Sequence, residues 1–343
     1  IMMRSIFSIL VLVLFPMNNS FGNEYRGTII DAHTQWGCEF SPEVVLNAIE
    51  QESVAHTLLS YRCNKKGDDP LQSHAKLLEL VEKLGDRASM LISMKYKNRD
   101  LNKTLEVTDE AYFEKSIGYS EIIVQHALHD NENLKLTKAR TNTLESKKIV
   151  QAIEFISKKE VPIILHVELN DFEEQSSLTI SSLKKILERY PNRNFVLIHM
   201  GQASAVEARD LIEQHKNIFF MMSQADAFPV IGIRRLKKRG QKAQFGWINM
   251  FTDPPKEIGR GWIFEYIENF TWRPKWKALV SDHPSRFVFA TENIWERHWN
   301  RRYGVQLQLW RKAFSLLPPE AAIQVACKNA VSLWKLNISC VLK

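Results

Sequence analysis

Three histidines and one glutamate each end a short apolar run, and their side chains are well suited to chemistry. They are His33, His166, His199 and Glu292. Imidazole nitrogens and carboxylate oxygens are ligands that Zn²⁺ takes in catalytic sites, where it lowers the pKa of bound water to about 7. A single histidine after an apolar run is more often a core residue bonded to a backbone carbonyl. Three at equivalent positions favour a shared site.

Eight apolar runs alternate with amphipathic segments along the chain. The runs are rich in consecutive β-branched and aliphatic residues, which is typical of parallel strands covered on both faces. They are Thr28–His33, His56–Arg62, Ala88–Lys97, Glu121–His129, Val161–Glu168, Asn194–Met200, Asn217–Ser223 and Arg286–Glu292. Helical spacing of apolar residues predicts helices over 41–52, 69–85, 145–160, 177–190 and 204–216, and a poorer one over 103–117.

This alternation, repeated eight times without a break in composition, predicts an α/β fold, a (β/α)8 TIM barrel formed as a single domain. An open doubly wound sheet is the alternative, but no glycine-rich phosphate loop follows the first strand. Barrel enzymes carry their chemistry at the carboxyl ends of the strands. The four polar residues are therefore expected to meet at one mouth.

Residues 224–285 separate the seventh and eighth strands and break the regular spacing. A connection of this length usually forms a functional lid or carries elements of its own, so we expect an insertion that roofs the mouth. Its basic run, from Arg234 to Arg239, either meets an anionic, sugar-derived substrate or forms a solvated helix face, which is the commoner case.

Several motifs resemble those of the amidohydrolase superfamily, specifically its amidohydrolase-related branch. The segment from Ile29 to Trp36 is similar to the first-strand Asp-x-His-x-His motif of that family. The runs that end at His166 and His199 resemble its fifth-strand histidine and sixth-strand His-x-Gly, and residues 286–293 resemble its eighth-strand segment. The similarity covers nearly the whole mature chain, with the motifs in the right order.

The resemblance implies a mononuclear metal held by His33, His166 and Glu292, with His199 positioning water or polarising a carbonyl. Two positions depart from the family pattern. Gln35 replaces the second histidine of the first motif. The terminal aspartate of the family is also replaced, and Glu292 is the carboxylate nearest to its position. A glutamine carbonyl is a weak ligand, so metal affinity should fall.

Three mechanisms remain open at this point. Zn²⁺ activates water that attacks an ester, lactone or amide, and Glu292 or His199 moves the proton. Alternatively, hydrolysis proceeds without metal, with Glu292 as general base and His199 stabilising the oxyanion. In the third, catalysis is lost and the barrel is an exported binding protein. Glu292 and His199 are the predicted catalytic residues.

Four further residues are predicted to contact a small-molecule substrate. Trp295 and Arg297 follow Glu292 directly and are candidates for pocket walls. Gln35 takes the place of a metal ligand. Gln125 lies towards the end of the fourth predicted strand, where the family often has a polar residue, and is the side chain expected to face inward.

The first 22 residues predict a secretory signal peptide, leaving residues 23–343 as the mature barrel. Arg4 precedes an apolar run from Ile6 to Phe15, and small residues stand at Ser20 and Gly22. The run is shorter than the ~20 residues that span a bilayer. The chain is therefore expected to be secreted or periplasmic.

Export bears on the four cysteines, which an oxidising compartment can keep paired. Cys38 and Cys63 follow neighbouring predicted strands, so we expect them to form a disulfide, with Cys327 and Cys340 as a second pair.

The ordinary globular composition of the 343 residues excludes a disordered chain. The net charge of +7 is weak support for a polyanion partner. No nucleic-acid partner and no membrane span in the mature chain are expected, while a homo-oligomer is compatible with the sequence.

Overall fold

A computed structural model of the chain describes residues 24–63, 69–94, 101–129, 136–169, 176–223, 250–252 and 268–342. The predicted signal peptide and the basic run at 234–239 lie outside the described residues, as does most of the predicted insertion at 224–285. Ten strands are present in the part of the chain that the structure describes. They are β1 (Ile30–Gly37), β2 (His56–Arg62), β3 (Ala88–Met90), β4 (Ile122–Ile123), β5 (Gln125–His129), β6 (Leu136–Thr141), β7 (Ile163–His166), β8 (Phe195–Leu197), β9 (Ile218–Met222) and β10 (Phe287–Phe289).

Eight of these strands form two parallel sheets, and contacts beyond the strand ends join these sheets in the order of the predicted α/β TIM barrel. β1, β2 and β3 pair in that order, and β4, β7, β8, β9 and β10 pair in that order. A parallel bridge between Ile92 and Tyr119 joins β3 to β4. The other seam lies between β1 and β10, where Glu292 N donates to His33 O at 2.8 Å and Gln35 N donates to Asn293 O at 2.7 Å.

Helices cover the outside of the ring in the described part of the chain. They are α1 (Pro42–Gln51), α2 (Pro70–Leu84), α3 (Leu101–Tyr112), α4 (Lys147–Ser157), α5 (Ser176–Arg189), α6 (Ala205–Gln214), α7 (Pro274–Asp282), α8 (Tyr303–Ser315), α9 (Pro319–Ile323) and α10 (Asn329–Trp334).

Local signals in the sequence explain where several helices begin. The Ser41 hydroxyl accepts a hydrogen bond from Glu43 N, and proline occupies the first position of α1, where its missing N–H costs nothing. Asp69 and Pro70 start α2 in the same way. At α6, Ser204 and Glu207 form a capping box, since each side chain accepts a hydrogen bond from the backbone of the other.

Several predicted strand boundaries need correction. β8 ends at Leu197 and β10 at Phe289, so His199 and Glu292 follow their strands by two and three residues instead of ending them. β1 does not end at His33 but continues to Gly37, with a shift in its pairing to β2 between Asp31 and Thr34. The third run ends as a strand at Met90 rather than Lys97. The fourth run, predicted as one strand over 121–129, divides into β4 within the ring and β5, which pairs antiparallel with β6. The polar and cationic residues of β6 gave no apolar run to reveal it.

The core is continuous across the ring and its helices, because the inward and outward faces of the strands are both covered. Both predicted disulfides are confirmed: Cys38–Cys63 links the carboxyl ends of β1 and β2, and Cys327–Cys340 ties the final segment to the helical end of the chain. Among the described residues, none of the helices is long and apolar enough to cross a bilayer.

Candidate active site

The floor of the barrel mouth is a cluster of buried polar side chains that β1 and the residue before β4 hold together. The Gln35 amide nitrogen lies 3.1 Å from Glu121 Oε1 and 3.3 Å from His33 Nε2, and it donates a hydrogen to each. His33 Nε2 is 3.7 Å from the same Glu121 oxygen. All three side chains are almost completely shielded from solvent. The predicted residues His33 and Gln35 therefore share one cluster with a carboxylate that the sequence reasoning missed.

His166, at the end of β7, bridges two carboxylates. Its Nδ1 lies 2.7 Å from Glu121 Oε2, and its Nε2 lies 3.0 Å from Glu168 Oε1. Because carboxylates only accept, both ring nitrogens carry hydrogen and the imidazole is charged. Burial opposes this charge, but the hydrogen bonds and charges of Glu121 and Glu168 outweigh it and raise the pKa of His166 to about 9.

His199, unlike His166, has a neutral imidazole ring. Its Nδ1 donates to the backbone carbonyl of Ser223 at 2.8 Å, which leaves the Nε2 lone pair as the acceptor. Burial lowers the pKa of His199; Glu292 opposes that shift and the charge on His166 adds to it. The two imidazole rings meet edge to face with centroids 4.7 Å apart. A charged and a neutral imidazole thus lie side by side.

Glu292 lies three residues after the end of β10 and enters the cluster in a backbone conformation that is rare for its residue type. Its φ of 53° lies in the left-handed region, which costs a non-glycine residue about 1–2 kcal/mol. One carboxylate oxygen, Oε2, lies 3.2 Å from His199 Nδ1, but that nitrogen directs its hydrogen at Ser223, so Oε2 has no hydrogen-bond partner. Such strain concentrates at functional positions.

The loop that carries His199 is also left-handed over consecutive residues. His199, Met200 and Gly201 have φ between 56° and 58°, and the capping box of α6 follows directly. At Gly201 an added Cβ would stand 3.0 Å from the Leu197 side chain, so glycine suits this position on both counts. The turn directs the His199 ring back over the mouth.

Below the mouth, a buried carboxylate ties β1 to the segment after β10. Asp31 accepts hydrogen bonds from Thr291 N at 2.8 Å, Thr291 Oγ1 at 2.6 Å and Tyr303 Oη at 3.2 Å. Burial raises the pKa of Asp31 to about 6, although these hydrogen bonds oppose the shift. Asp31 therefore fixes the seam that holds His33 beside Glu292.

His33, Glu121 and Glu292 are the residues that could hold a metal ion. Each offers one ligand atom, and these atoms lie within 4.8 Å of one another. An imidazole and two carboxylates suit Zn²⁺. Buried polar atoms without a partner surround them: His33 Nδ1, Gln35 Oε1 and Glu292 Oε2. The donors therefore fit a divalent cation, provided that the Gln35 amide turns its nitrogen away.

These three candidate ligands differ from the predicted ones in one residue, since Glu121 takes the place of His166. The structure brings His166 to the cluster, but both of its nitrogens are bonded to carboxylates, and Glu121 stands where a third ligand is needed. Glu121 and Glu168 escaped the sequence reasoning because each is a single acid beside an apolar run. The sequence did contain a signal for them, because a glutamate next to a buried strand needs a cationic partner. Glu121 directly precedes Ile122 and Glu168 directly follows Val167.

The predicted substrate-contacting residues divide into two groups. Trp295 and Arg297 pack together at the mouth, with the guanidinium carbon 4.6 Å from the indole centroid. Gln125 is buried and accepts a hydrogen bond from Thr179 of α5 at 3.3 Å, so its carbonyl oxygen is engaged on the helical side of the barrel. Its role as a substrate contact remains a prediction.

No protein-family model matches the sequence, and no curated protein matches it. Solved structures do match its fold. An amidohydrolase from Burkholderia multivorans, solved with bound Zn, superposes with a TM-score of 0.50 at 13% identity, over 90% of this chain and 99% of that one. A 4-oxalomesaconate hydratase from Rhodopseudomonas palustris gives a TM-score of 0.52 at 13% identity, over 90% and 96%. An uncharacterised TIM-barrel protein from Bordetella bronchiseptica gives 0.50 at 11% identity, over 90% and 99%. The chain therefore has the TIM-barrel fold of these proteins.

Proposed function

We propose that the chain is an exported hydrolase that cleaves a carboxylic ester, lactone or amide in a small molecule. The observation that carries this proposal is the convergence of His33, Glu121, His166, His199 and Glu292 at one end of the barrel. The similarity in fold to an amidohydrolase supports it. So does the backbone strain at His199 and Glu292, which a purely structural role does not require.

His199 is the proposed general base. Its Nδ1 is committed to the Ser223 carbonyl, so Nε2 is free of a proton and can take one from water. The low pKa keeps the ring neutral near pH 7. His166, held charged between two carboxylates, keeps Glu121 oriented and contributes a positive charge next to the reacting carbonyl.

Glu292 is the proposed partner in proton transfer. Its unpartnered Oε2 lies 3.2 Å from His199 Nδ1, so it stabilises the imidazolium that forms when His199 takes a proton. After the carbonyl is attacked, the proton returns from His199 to the leaving oxygen or nitrogen. Both steps use groups that are already in place.

We propose that His33, Glu121 and Glu292 hold one divalent cation, with Zn²⁺ as the first choice because the ligands are nitrogen and oxygen. When bound, the cation would lower the pKa of water and polarise the carbonyl. A cation would also add positive charge where Glu121, Glu168 and Glu292 are buried near His166. Buried carboxylates require such compensation.

The two disulfides support action outside the cytoplasm, because such bonds persist in oxidising compartments. We therefore propose that the mature chain is secreted or periplasmic. The predicted signal peptide supplies the route.

The test combines elemental analysis with a panel of lactones, esters and amides. We expect about one zinc ion per chain, falling several-fold in His33→Gln and Glu121→Gln. The matched control is His56→Gln, since His56 is a buried histidine at the start of β2, at the other end of the barrel. Turnover should fall about 100- to 10,000-fold in His199→Gln.

Two other outcomes decide between the remaining mechanisms. Turnover without metal that is abolished by Glu292→Gln would replace the metal-dependent route with a Glu292 route. Neither metal nor turnover across the panel would contradict the hydrolase and leave a binding protein.

A further inference from the structure

The mouth of the barrel carries an arginine, Arg62, that the proposed chemistry does not use. Arg62 is the last residue of β2 and pairs with Gly37 of β1, two positions beyond the pair formed by Gln35 and Ser60. Side chains alternate along a strand, so Arg62 lies on the same face as Gln35, which contacts Glu121 across the barrel. On the opposite face, Trp36 and Tyr61 contact each other edge to face. Arg62 therefore lies on the inward face, about 7 Å above the floor residues.

Arg62 is anchored at its backbone. Its carbonyl accepts a hydrogen bond from Cys38 N at 3.3 Å, and the next residue, Cys63, is disulfide-bonded to Cys38. At Gly37 an added Cβ would stand 3.2 Å from the Phe40 ring, 3.5 Å from the Arg62 carbonyl oxygen and 3.7 Å from that of Ile294. The end of β1 is therefore closely packed against β2 and the segment after β10, which fixes the backbone at Arg62.

The Arg62 side chain contacts Trp295. The Arg62 guanidinium carbon is 5.8 Å from the indole centroid, within the range of a cation–π contact. Such a contact uses the face of the guanidinium and leaves its N–H edges available. Within the part of the chain that the structure describes, these edges have neither a hydrogen-bond acceptor nor an ion-pair partner. A half-buried guanidinium at a pocket mouth with unused donors calls for an anion.

A second arginine contacts the same ring. The Arg297 guanidinium carbon lies 4.6 Å from the indole centroid. Guanidinium and carboxylate match as a pair of parallel hydrogen bonds, a geometry that lysine does not reproduce.

We propose that Arg62 is a specificity-determining residue that binds a carboxylate on the substrate, so the hydrolysed compound is anionic at the end remote from its scissile carbonyl. This rests on the proposed function for the identity of the ligand as a substrate. Anion binding by Arg62 is nevertheless measurable without turnover, which separates the two proposals.

The experiment titrates the purified full chain with a series of dicarboxylates from malonate to adipate, using isothermal titration calorimetry. We expect at least one of them to bind. Arg62→Gln should weaken that binding about 10- to 100-fold, because a hydrogen-bonded charge pair is lost, and Arg62→Lys should recover only part of it. The dimethyl ester of the same acid should bind equally to wild type and Arg62→Gln.

The matched control is Arg189→Gln, which removes the same charge at the last residue of α5, at the far end of the barrel, where Arg189 is paired with Glu154. Arg189→Gln should bind the dicarboxylate with the same affinity as wild type. The proposal is overturned if no dicarboxylate binds, if Arg62→Gln binds as well as wild type, or if Arg189→Gln weakens binding equally. Thermal midpoints of the variants show that each is folded.

A kinetic arm separates this proposal from the proposed function. With esters that differ only in a free or methylated carboxylate, Arg62→Gln should raise KM for the charged ester and leave KM for the neutral one unchanged, with kcat little altered. Dicarboxylate binding that depends on Arg62 in a chain with no turnover would overturn the hydrolase but retain the anion site.

Discussion

At the scale of single residues, His166 and His199 show how neighbours divide proton chemistry between two identical side chains. His166 lies between Glu121 and Glu168 and is held charged, while His199 donates to a backbone carbonyl and is held neutral. Their rings touch. When environments push two pKa values apart in this way, one group acts as a fixed charge and the other exchanges protons.

His199→Gln tests that division. Glutamine can still donate to the Ser223 carbonyl but cannot take a proton, so kcat on the best substrate of the panel should fall about 100- to 10,000-fold with KM nearly unchanged. Steady-state kinetics measure it, and His56→Gln serves as the control. Equal loss of kcat in both variants would show that the effect is on folding rather than on the base.

Asp31 illustrates a residue whose contribution is to stability. Asp31→Ala leaves the donors of Thr291 and Tyr303 buried without an acceptor, and we expect the free energy of unfolding to fall by about 3–5 kcal/mol. Urea unfolding followed by circular dichroism measures the change. Asp210→Ala, at an exposed position on α6, should stay within about 0.5 kcal/mol of wild type. If Asp31→Ala also changed the free energy of unfolding by no more than about 0.5 kcal/mol, the stabilising role assigned to Asp31 would be contradicted.

At the scale of elements, the site depends on how strands end and helices begin. The left-handed turn from His199 to Gly201 passes directly into the capping box of α6, so the start of that helix fixes the loop that carries the proposed base. β1 contributes at two levels, with His33 and Gln35 at the floor and Gly37 at the rim.

Ser204→Ala removes one half of the capping box. The Glu207 N–H loses its acceptor, and unfolding should become easier by about 1 kcal/mol. Ser181→Ala is the control, because Ser181 is exposed in the middle of α5, where alanine suits a helix at least as well. Thermal unfolding of the two variants makes the comparison. A similar midpoint for both would show that the cap contributes little here.

Local pattern predicted most elements but not the contacts between them. β2 has the bounds expected from its apolar run, and α1 begins at the serine and proline that mark it. The division of the fourth run into β4 and β5 was not predictable, since it depends on pairing with β6, whose sequence has no apolar periodicity. The position of Glu121 was missed for a related reason: its importance comes from His166, 45 residues away.

At the scale of the whole molecule, buried histidines make stability depend on pH. His74 of α2 donates to Pro70 O and accepts from Ser93 N, which ties the helix to the strand layer, and burial lowers its pKa to about 4. Between pH 6.5 and 4 the unfolded chain binds a proton that the folded chain does not. The free energy of unfolding therefore rises with pH across this window.

The expected size of the effect is about 3 kcal/mol at the acid end. Urea unfolding at pH 4.5 and pH 7 measures it in wild type and in His74→Gln, which has no titrating ring. The variant should be less stable at pH 7 but lose less stability on acidification. An identical pH dependence in the two proteins would contradict the assignment.

The seam between β1 and β10 joins residues about 260 positions apart, and it has a consequence for biosynthesis. Asp31 and His33 leave the ribosome early, yet their partners Thr291 and Glu292 are among the last strand-end residues to be translated. A nascent chain that stops before them leaves a carboxylate without donors and an imidazole without its neighbour. Premature termination or proteolytic loss of the final quarter should therefore yield no partially competent fragment, and the cell would have to keep the early segments from aggregating until translation ends.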